Sequence, residues 1–294
     1  MLAGTTYMSS INVSANHPVL VEGNCDSPVP GTTIVAAGTC GDFDGDGRIG
    51  TAEDTDGADR IFGTLRAALG PGTGAAAGTG ANSNGTITIV TSGRFAEQLF
   101  IGQSGIVPGL GTASPGNVII QAAPGVNAEI DAVLQGDPTG GNTARQAATG
   151  IMIIYPAGNE RIVTLRNLTL RNWANGVFTA LSSRVHIDNC RIEGNLNHGV
   201  LVIDNVQMTI TNSSVTGNGR RTPGALPSPG NGLTLENSNN ARVRIFNSTF
   251  SHNVGAGISN TSASSLSVYK VGAYLNGADT VGAVTIAPNP NFAN

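Results

Sequence analysis

VHIDNCRIEGN, residues 185–195, is one of four related phrases in this chain. The others are VTLRNLTLRN at 163–172, MTITNSSVTGN at 208–218 and VRIFNSTFSHN at 243–253. Aligned on the central Asn, they place Asn167, Asn189, Asn212 and Asn247 at intervals of 22, 23 and 35 residues. The long interval contains GRRTPGALPSPG (219–230), which reads as a twelve-residue insertion in a repeat of about 23. One further period reaches Lys270, so VYKVGAYLN is a degraded fifth copy. A fixed period of this length marks a solenoid, in which each repeat buries its apolar face against its neighbours.

Within each phrase the apolar residues alternate before the Asn: Val163/Leu165, Val185/Ile187, Met208/Ile210 and Val243/Ile245. Period two is the signature of a strand with one buried face. Another apolar residue follows three places after the Asn, at Leu170, Ile192, Val215 and Phe250. The chain therefore bends at the Asn and sends a second strand into the same core. Asn accepts the left-handed backbone such a bend requires, and stacked Asn side chains can hydrogen-bond from coil to coil. A second Asn row closes most copies at Asn195, Asn218 and Asn253, with Asn172 one residue early.

A third strand begins just after Gly in each coil: GIMII at 150, GVFTAL at 176, GVLVID at 199, GLTLEN at 232 and GISN at 257. Three strands and three turns per coil resemble the right-handed parallel β-helix of the pectin-lyase-like proteins. GTITIV (85–90) and NVIIQAA (117–123) extend the resemblance to earlier coils. The expected fold is all-β: about seven three-strand coils over 85–294, preceded by a leader (1–84) that carries a strand and helix cap.

Open solenoid ends expose unpaired strand edges and need covering. DGADRIFGTLRAALGPG (56–72) predicts an amphipathic capping helix over 56–70, with Ile61, Phe62, Leu65, Ala68 and Leu69 on one stripe. Asp56 caps its start and Gly70-Pro71 stops it. A Cys-containing leader, TLRAAL and then a first strand is an order similar to the CSLREA-type entrance of bacterial secreted β-helix proteins. Gly63 stands where that family has Cys. The resemblance implies that SINVSA and PVLVEG (10–23) are strands packed beside the cap.

Composition excludes several other classes. Charged residues make up 12% of the chain and aromatic ones 4%, while Gly supplies 41 of 294 residues. That suits short strands and tight turns rather than a helical bundle. The net charge of −4 is uneven, since residues 1–60 hold nine acids against two bases. Neither part offers the basic stripe of a nucleic-acid binder, and no apolar run approaches the ~20 residues that span a membrane. MLAGTTYMSS lacks the basic start and apolar core of a signal peptide. Cys25 and Cys40 bracket a short Gly/Pro-rich loop, leaving a disulfide and two free thiols equally open. Cys190, inside a repeat, reads as a small buried apolar residue.

The sharpest local motif is DFDGDGRIGTAE (42–53), which matches a twelve-residue EF-hand-type loop. Ca²⁺ needs six to eight hard oxygens. Asp42, Asp44 and Asp46 supply carboxylates, Arg48 a backbone carbonyl and Glu53 a bidentate carboxylate. Gly47 permits the sharp turn. No helix pattern precedes the loop, so it reads as an isolated structural site rather than a paired sensor; the alternative is a solvated acidic turn.

For catalysis, the β-helix resemblance implies clustered carboxylates, or calcium-bound acids with a basic partner, outside one sheet. No such cluster stands out. Asp188 with Arg166, and Glu193 with Arg171, fall one coil apart and read as surface ion pairs. His198 reads as a polar turn residue, His186 as an outward side chain without a nucleophile, and Arg220-Arg221 as a weak anion grip. Two functions remain: a non-catalytic extracellular β-helix acting as an adhesin or as a surface or fibre component, and a polysaccharide-active or glycan-binding protein with loops 133–150 and 219–231 shaping its site. The third strands carry a further expectation. If Leu233, Leu235 and Ile258 point inward, then Met152, Ile154, Phe178, Ala180, Leu201 and Ile203 point outward. They form a patch of several hundred Å², more than a monomer usually leaves bare. It is expected to be covered by the chain's own segments or by self-association through this face or the coil ends.

Overall fold

A computed structural model of the chain describes residues 19–21, 60–62, 65, 69, 85–89, 92–102, 117–132, 148–219, 230–238 and 240–286. Two strands precede the coils, β1 (Val19–Val21) and β2 (Arg60–Phe62). Coil one is β3 (Gly85–Ile89), β4 (Gly93–Phe95) and β5 (Leu99–Gly102). Coil two is β6 (Val118–Ala122), β7 (Ala128–Asp131) and β8 (Thr149–Tyr155). Coil three is β9 (Ile162–Arg166), β10 (Leu168–Arg171) and β11 (Asn175–Leu181). Coil four is β12 (Arg184–Asp188), β13 (Arg191–Glu193) and β14 (Val200–Ile203).

The second half repeats the pattern. Coil five is β15 (Gln207–Thr211), β16 (Ser214–Thr216) and β17 (Leu233–Glu236). Coil six is β18 (Arg242–Phe246), β19 (Thr249–Ser251) and β20 (Ala256–Asn260). Coil seven is β21 (Ser265–Tyr269), β22 (Gly272–Tyr274) and β23 (Ala278–Gly282), after which β24 (Thr285–Ile286) starts another turn. Every first strand pairs in parallel with the first strand of the next coil, and likewise for the second and third strands. The result is one ten-stranded and two seven-stranded sheets wound around a common lumen. The expected seven coils are present.

The repeat explains the packing. In the pairing of β12 with β9 and β15, Val163, Val185 and Met208 share one row, and Leu165, Ile187 and Ile210 another. All six are at most 2% exposed. Each such side chain taken from water contributes roughly 1.5–3 kcal/mol. Trp173, Tyr155 and Phe250 are the bulkiest fully buried side chains.

The corners follow the Asn rows, with two revisions. Asn167, Asn189, Asn212 and Asn247 all have φ between 48° and 58°, and Lys270 continues the row at 50°. This left-handed backbone turns the first strand into the second. The second row, however, carries the continuous side-chain ladder. Asn195 Nδ2 donates to Asn218 Oδ1, Asn218 to Asn253 and Asn253 to Asn276, each at 2.9 Å. Asn195 and Asn218 are fully buried and Asn253 nearly so. Asn172 is no early member of this ladder. It has φ 63° and occupies the corner place that Gly194 and Gly217 hold in the next coils, also at 63°. Trp173 takes the ladder position in its coil, with its N–H donated to Asn195 Oδ1 at 3.1 Å.

The entrance differs from the expected cap. Arg60–Phe62, assigned above to the helix over 56–70, is a parallel strand on the far side of β1, which itself pairs with β3. Ile and Phe suit a strand, and pairing with the open edge of β1 outweighs a local helical pattern. Helical geometry is retained at Leu65 and Leu69, both buried, and Leu65 N–H donates to Glu97 Oε1 at 3.0 Å. SINVSA lies outside the described residues, whereas PVLVEG contains β1.

Candidate functional site

The outer face of the second sheet carries the densest chemistry. Parallel pairing of β4, β7, β10 and β13 brings Arg94, Glu129, Asp131, Arg171, Arg191 and Glu193 onto neighbouring positions. Arg171 lies at the centre. Its Nε donates to Asp131 Oδ2 at 2.9 Å, its Nη2 donates to Glu129, and its Nη1 stands 3.9 Å from Glu193. Arg94 Nε donates to Glu129 at 3.2 Å and lies 3.6 Å from Asp131. Asp131 is fully buried, and its other oxygen accepts from Asn172 Nδ2 at 2.8 Å. Buried charge persists only when it is paired and hydrogen-bonded in this way. Each carboxylate in the cluster is thus held by a guanidinium.

The Glu193–Arg171 pair expected from the coil spacing is present at 3.9 Å, but Glu129 and Asp131, which the repeat does not reveal, are closer partners of Arg171. Their strand, AEID, sits 40 residues upstream and lacks the Asn phrase that made the other copies legible. The expected pair of Arg166 with Asp188 is present at 3.2 Å. Burial raises the Asp188 carboxyl, but hydrogen bonds from Thr211, Asn212 and Arg166 outweigh it and hold the group below the usual Asp range.

A depression of about 380 Å³ lies at the corner between the first and second sheets. In coil two, five residues (123–127) connect β6 to β7, whereas Asn167 alone makes the same corner in coil three. The longer turn therefore stands out as a ledge. Pro124, Val126 and Asn127 form one wall, and Asn167, Asn189 and Arg191 line the rest. Asn189 Nδ2 donates to Asn167 Oδ1 at 2.9 Å, and Arg191 Nη2 donates to Glu193 at 2.6 Å.

The third sheet is different. Its lumen rows include Ile151, Val177, Val200, Leu233 and Ile258, all at most 1% exposed. The alternate side chains form a second apolar cluster: Phe100, Ile154 and Ala180 are buried, and Met152, Phe178, Leu181 and Ile203 pack against them. Leu201 follows Phe178 in the same row. In coils five and six the row is polar, with Thr234 and Ser259, before Val281 in coil seven.

His198 sits at the start of a third strand. Its Nδ1 accepts the Asn231 N–H at 3.3 Å and lies 3.0 Å from Thr234 Oγ1. Burial lowers its pKa below the ordinary imidazole value, against a smaller opposing effect of Glu236. Its environment therefore favours the neutral ring protonated at Nε2. His186 is exposed, in a row with Thr209 and Arg244. Cys190 is buried, and burial pushes its thiol up to about 12, so it behaves as an apolar residue.

The metal residues expected from sequence, Asp42, Asp44, Asp46, Arg48 and Glu53, lie outside the described residues, as do Cys25, Cys40 and Arg220-Arg221. Among the described residues, no three His, Cys, Asp or Glu side chains stand close enough to hold a metal ion, and no helix is long and apolar enough to cross a membrane.

Three parallel sheets, a repeating left-handed corner and an internal amide ladder define the class, a parallel β-solenoid. The chain belongs to the right-handed β-helix family: residues 120–271 match the family model "Right handed beta helix region". Among solved structures, a pectate lyase, Pel9A, aligns with a TM-score of 0.38 at 13% identity, over 95% of this chain and 80% of that one. No curated protein matches the chain.

Proposed function

We propose that this chain is a non-catalytic extracellular β-helix, a structural or adhesive surface component that calcium stabilises at the 42–53 loop. The observation that carries this reading is the state of the carboxylates on the second sheet. Glu129, Asp131 and Glu193 are each tied to Arg94, Arg171 or Arg191, so none of the three carboxylates on this face stands free to act as a general acid or base. The outer rows of the third sheet, apolar and half-buried at Met152, Phe178, Leu201 and Ile203, fit a contact face for self-association better than a sugar cleft.

A panel of neutral and acidic glycans, assayed for cleavage with calcium present, tests the absence of catalysis; turnover of any of them overturns it. Calcium is expected to raise the melting temperature, and Asp44→Ala combined with Glu53→Ala to abolish the increment. Calorimetry that detects no calcium binding to the intact chain removes the site. A glycan-binding reading draws on the corner depression, where Arg191 and the Asn189 amide offer polar groups beside Pro124 and Val126. Binding in the same panel that is lost in Arg191→Ala supports it.

A further inference from the structure

The amide ladder has a fixed end. In coils three to six a Gly stands opposite the ladder residue of the following coil, at Gly176, Gly199, Gly232 and Gly257. A Cβ on Gly199 would come within 2.9 Å of Asn218 Nδ2 and 2.7 Å of the Gly232 carbonyl oxygen. A Cβ on Gly257 would lie 2.7 Å from Asn276 Nδ2 and 2.9 Å from the Asp279 carbonyl oxygen. Glycine in each coil is thus the condition for the next coil to stack with its Asn in place.

Coil seven breaks the pattern. Ala256 pairs with Ala278 and Ile258 with Thr280, which puts Asp279 opposite Gly257. By analogy with Gly257, its Cβ stands where the ladder residue and carbonyl of an eighth coil would come. Its carboxylate also takes over the hydrogen bond that residue would accept. Asn195, Asn218 and Asn253 each donate Nδ2 to the Asn of the following coil, whereas Asn276 Nδ2 reaches Asp279 Oδ1, at 3.4 Å, within its own coil.

We infer that Asp279 is a built-in stop on the third sheet: β24 carries the first sheet one strand past coil seven, but Asp279 bars the ladder residue and third strand of a further coil of the same kind, from this chain or a second copy, from adding in register. The device combines steric exclusion with a substitute acceptor that keeps the last ladder amide satisfied. It is independent of the proposed function, since it concerns only how far the solenoid extends.

The test inserts a second copy of residues 242–264 between Gly282 and Ala283, in the full chain with Asp279 and in Asp279→Gly. The duplicated Asn253 then falls over Asn276. Hydrogen exchange of the inserted segment is the readout. Protection on the order of tenfold or more greater in the Asp279→Gly background is the expected result. Equal protection in the two backgrounds, whether high or low, overturns the inference. Asp279→Gly without the insert controls for folding and is expected to keep the exchange pattern of coils three to six.

Discussion

Thr179 sits in the lumen between Ile153 and Val202, fully buried, and its Oγ1 has no hydrogen-bond partner. An unpaired hydroxyl there costs free energy that an apolar side chain of the same shape does not. Thr179→Val is therefore expected to stabilise the fold by about 1 kcal/mol in urea titrations; a loss of stability would mean that the hydroxyl has a partner. Asn218 is the opposite case. Its Oδ1 accepts both the backbone N–H and the side-chain amide of Asn195, and its own amide donates to Asn253 and to the Ile192 carbonyl. Asn218→Ala leaves several buried groups unpaired and is expected to cost on the order of 3 kcal/mol in the same titration. A cost below that of an ordinary surface substitution would show the ladder to be energetically neutral.

At the scale of the coil, His198 couples the start of one third strand to the next, because its Nδ1 receives the Asn231 N–H. Protonation would set two N–H groups against each other in a half-buried corner. The folded-state pKa is lowered, so the unfolded chain takes up the proton first as pH falls. The contribution of the neutral ring is complete above about pH 6.5, the unfolded value, and is lost as pH falls through the depressed folded value. His198→Asn, which places there the residue found at Asn175 and Asn231, is expected to flatten melting temperature against pH below about 6.5; an unchanged slope would place the titration elsewhere. The same corners show what was legible in the sequence. A row of Asn residues at a fixed period encodes a left-handed bend wherever it occurs, so the strands and corners of coils three to six could be read directly. The ladder was harder, because Trp173 and not Asn172 begins it, and a tryptophan in an asparagine column gives no local signal. Arg60–Phe62 was misread because a stripe of apolar residues records burial but not the partner, and β1 lies far upstream. The ionic cluster was missed for a related reason: Asp131 and Arg171 meet only once the coils are stacked.

Among the described residues, the strands of each coil pair with those of its two neighbours, so stability is a sum of coil and interface terms rather than a property of one centre. Trp173 gives that statement an optical handle. It is the only tryptophan in the chain, it is fully buried in coil three, and its indole N–H donates to the Ile130 carbonyl in coil two at 2.9 Å. Its emission therefore reports whether coils two and three are docked and is blind to coils six and seven, whereas far-ultraviolet circular dichroism averages over all the sheets. If the solenoid frays from its C-terminal coils, ellipticity is expected to fall in denaturant before the emission shifts to the red. Coincident curves would mean that the amide ladder binds its coils into one cooperative unit. A single indole thus turns the position of a ladder residue into a spectroscopic measure of how far cooperativity travels along the coil stack.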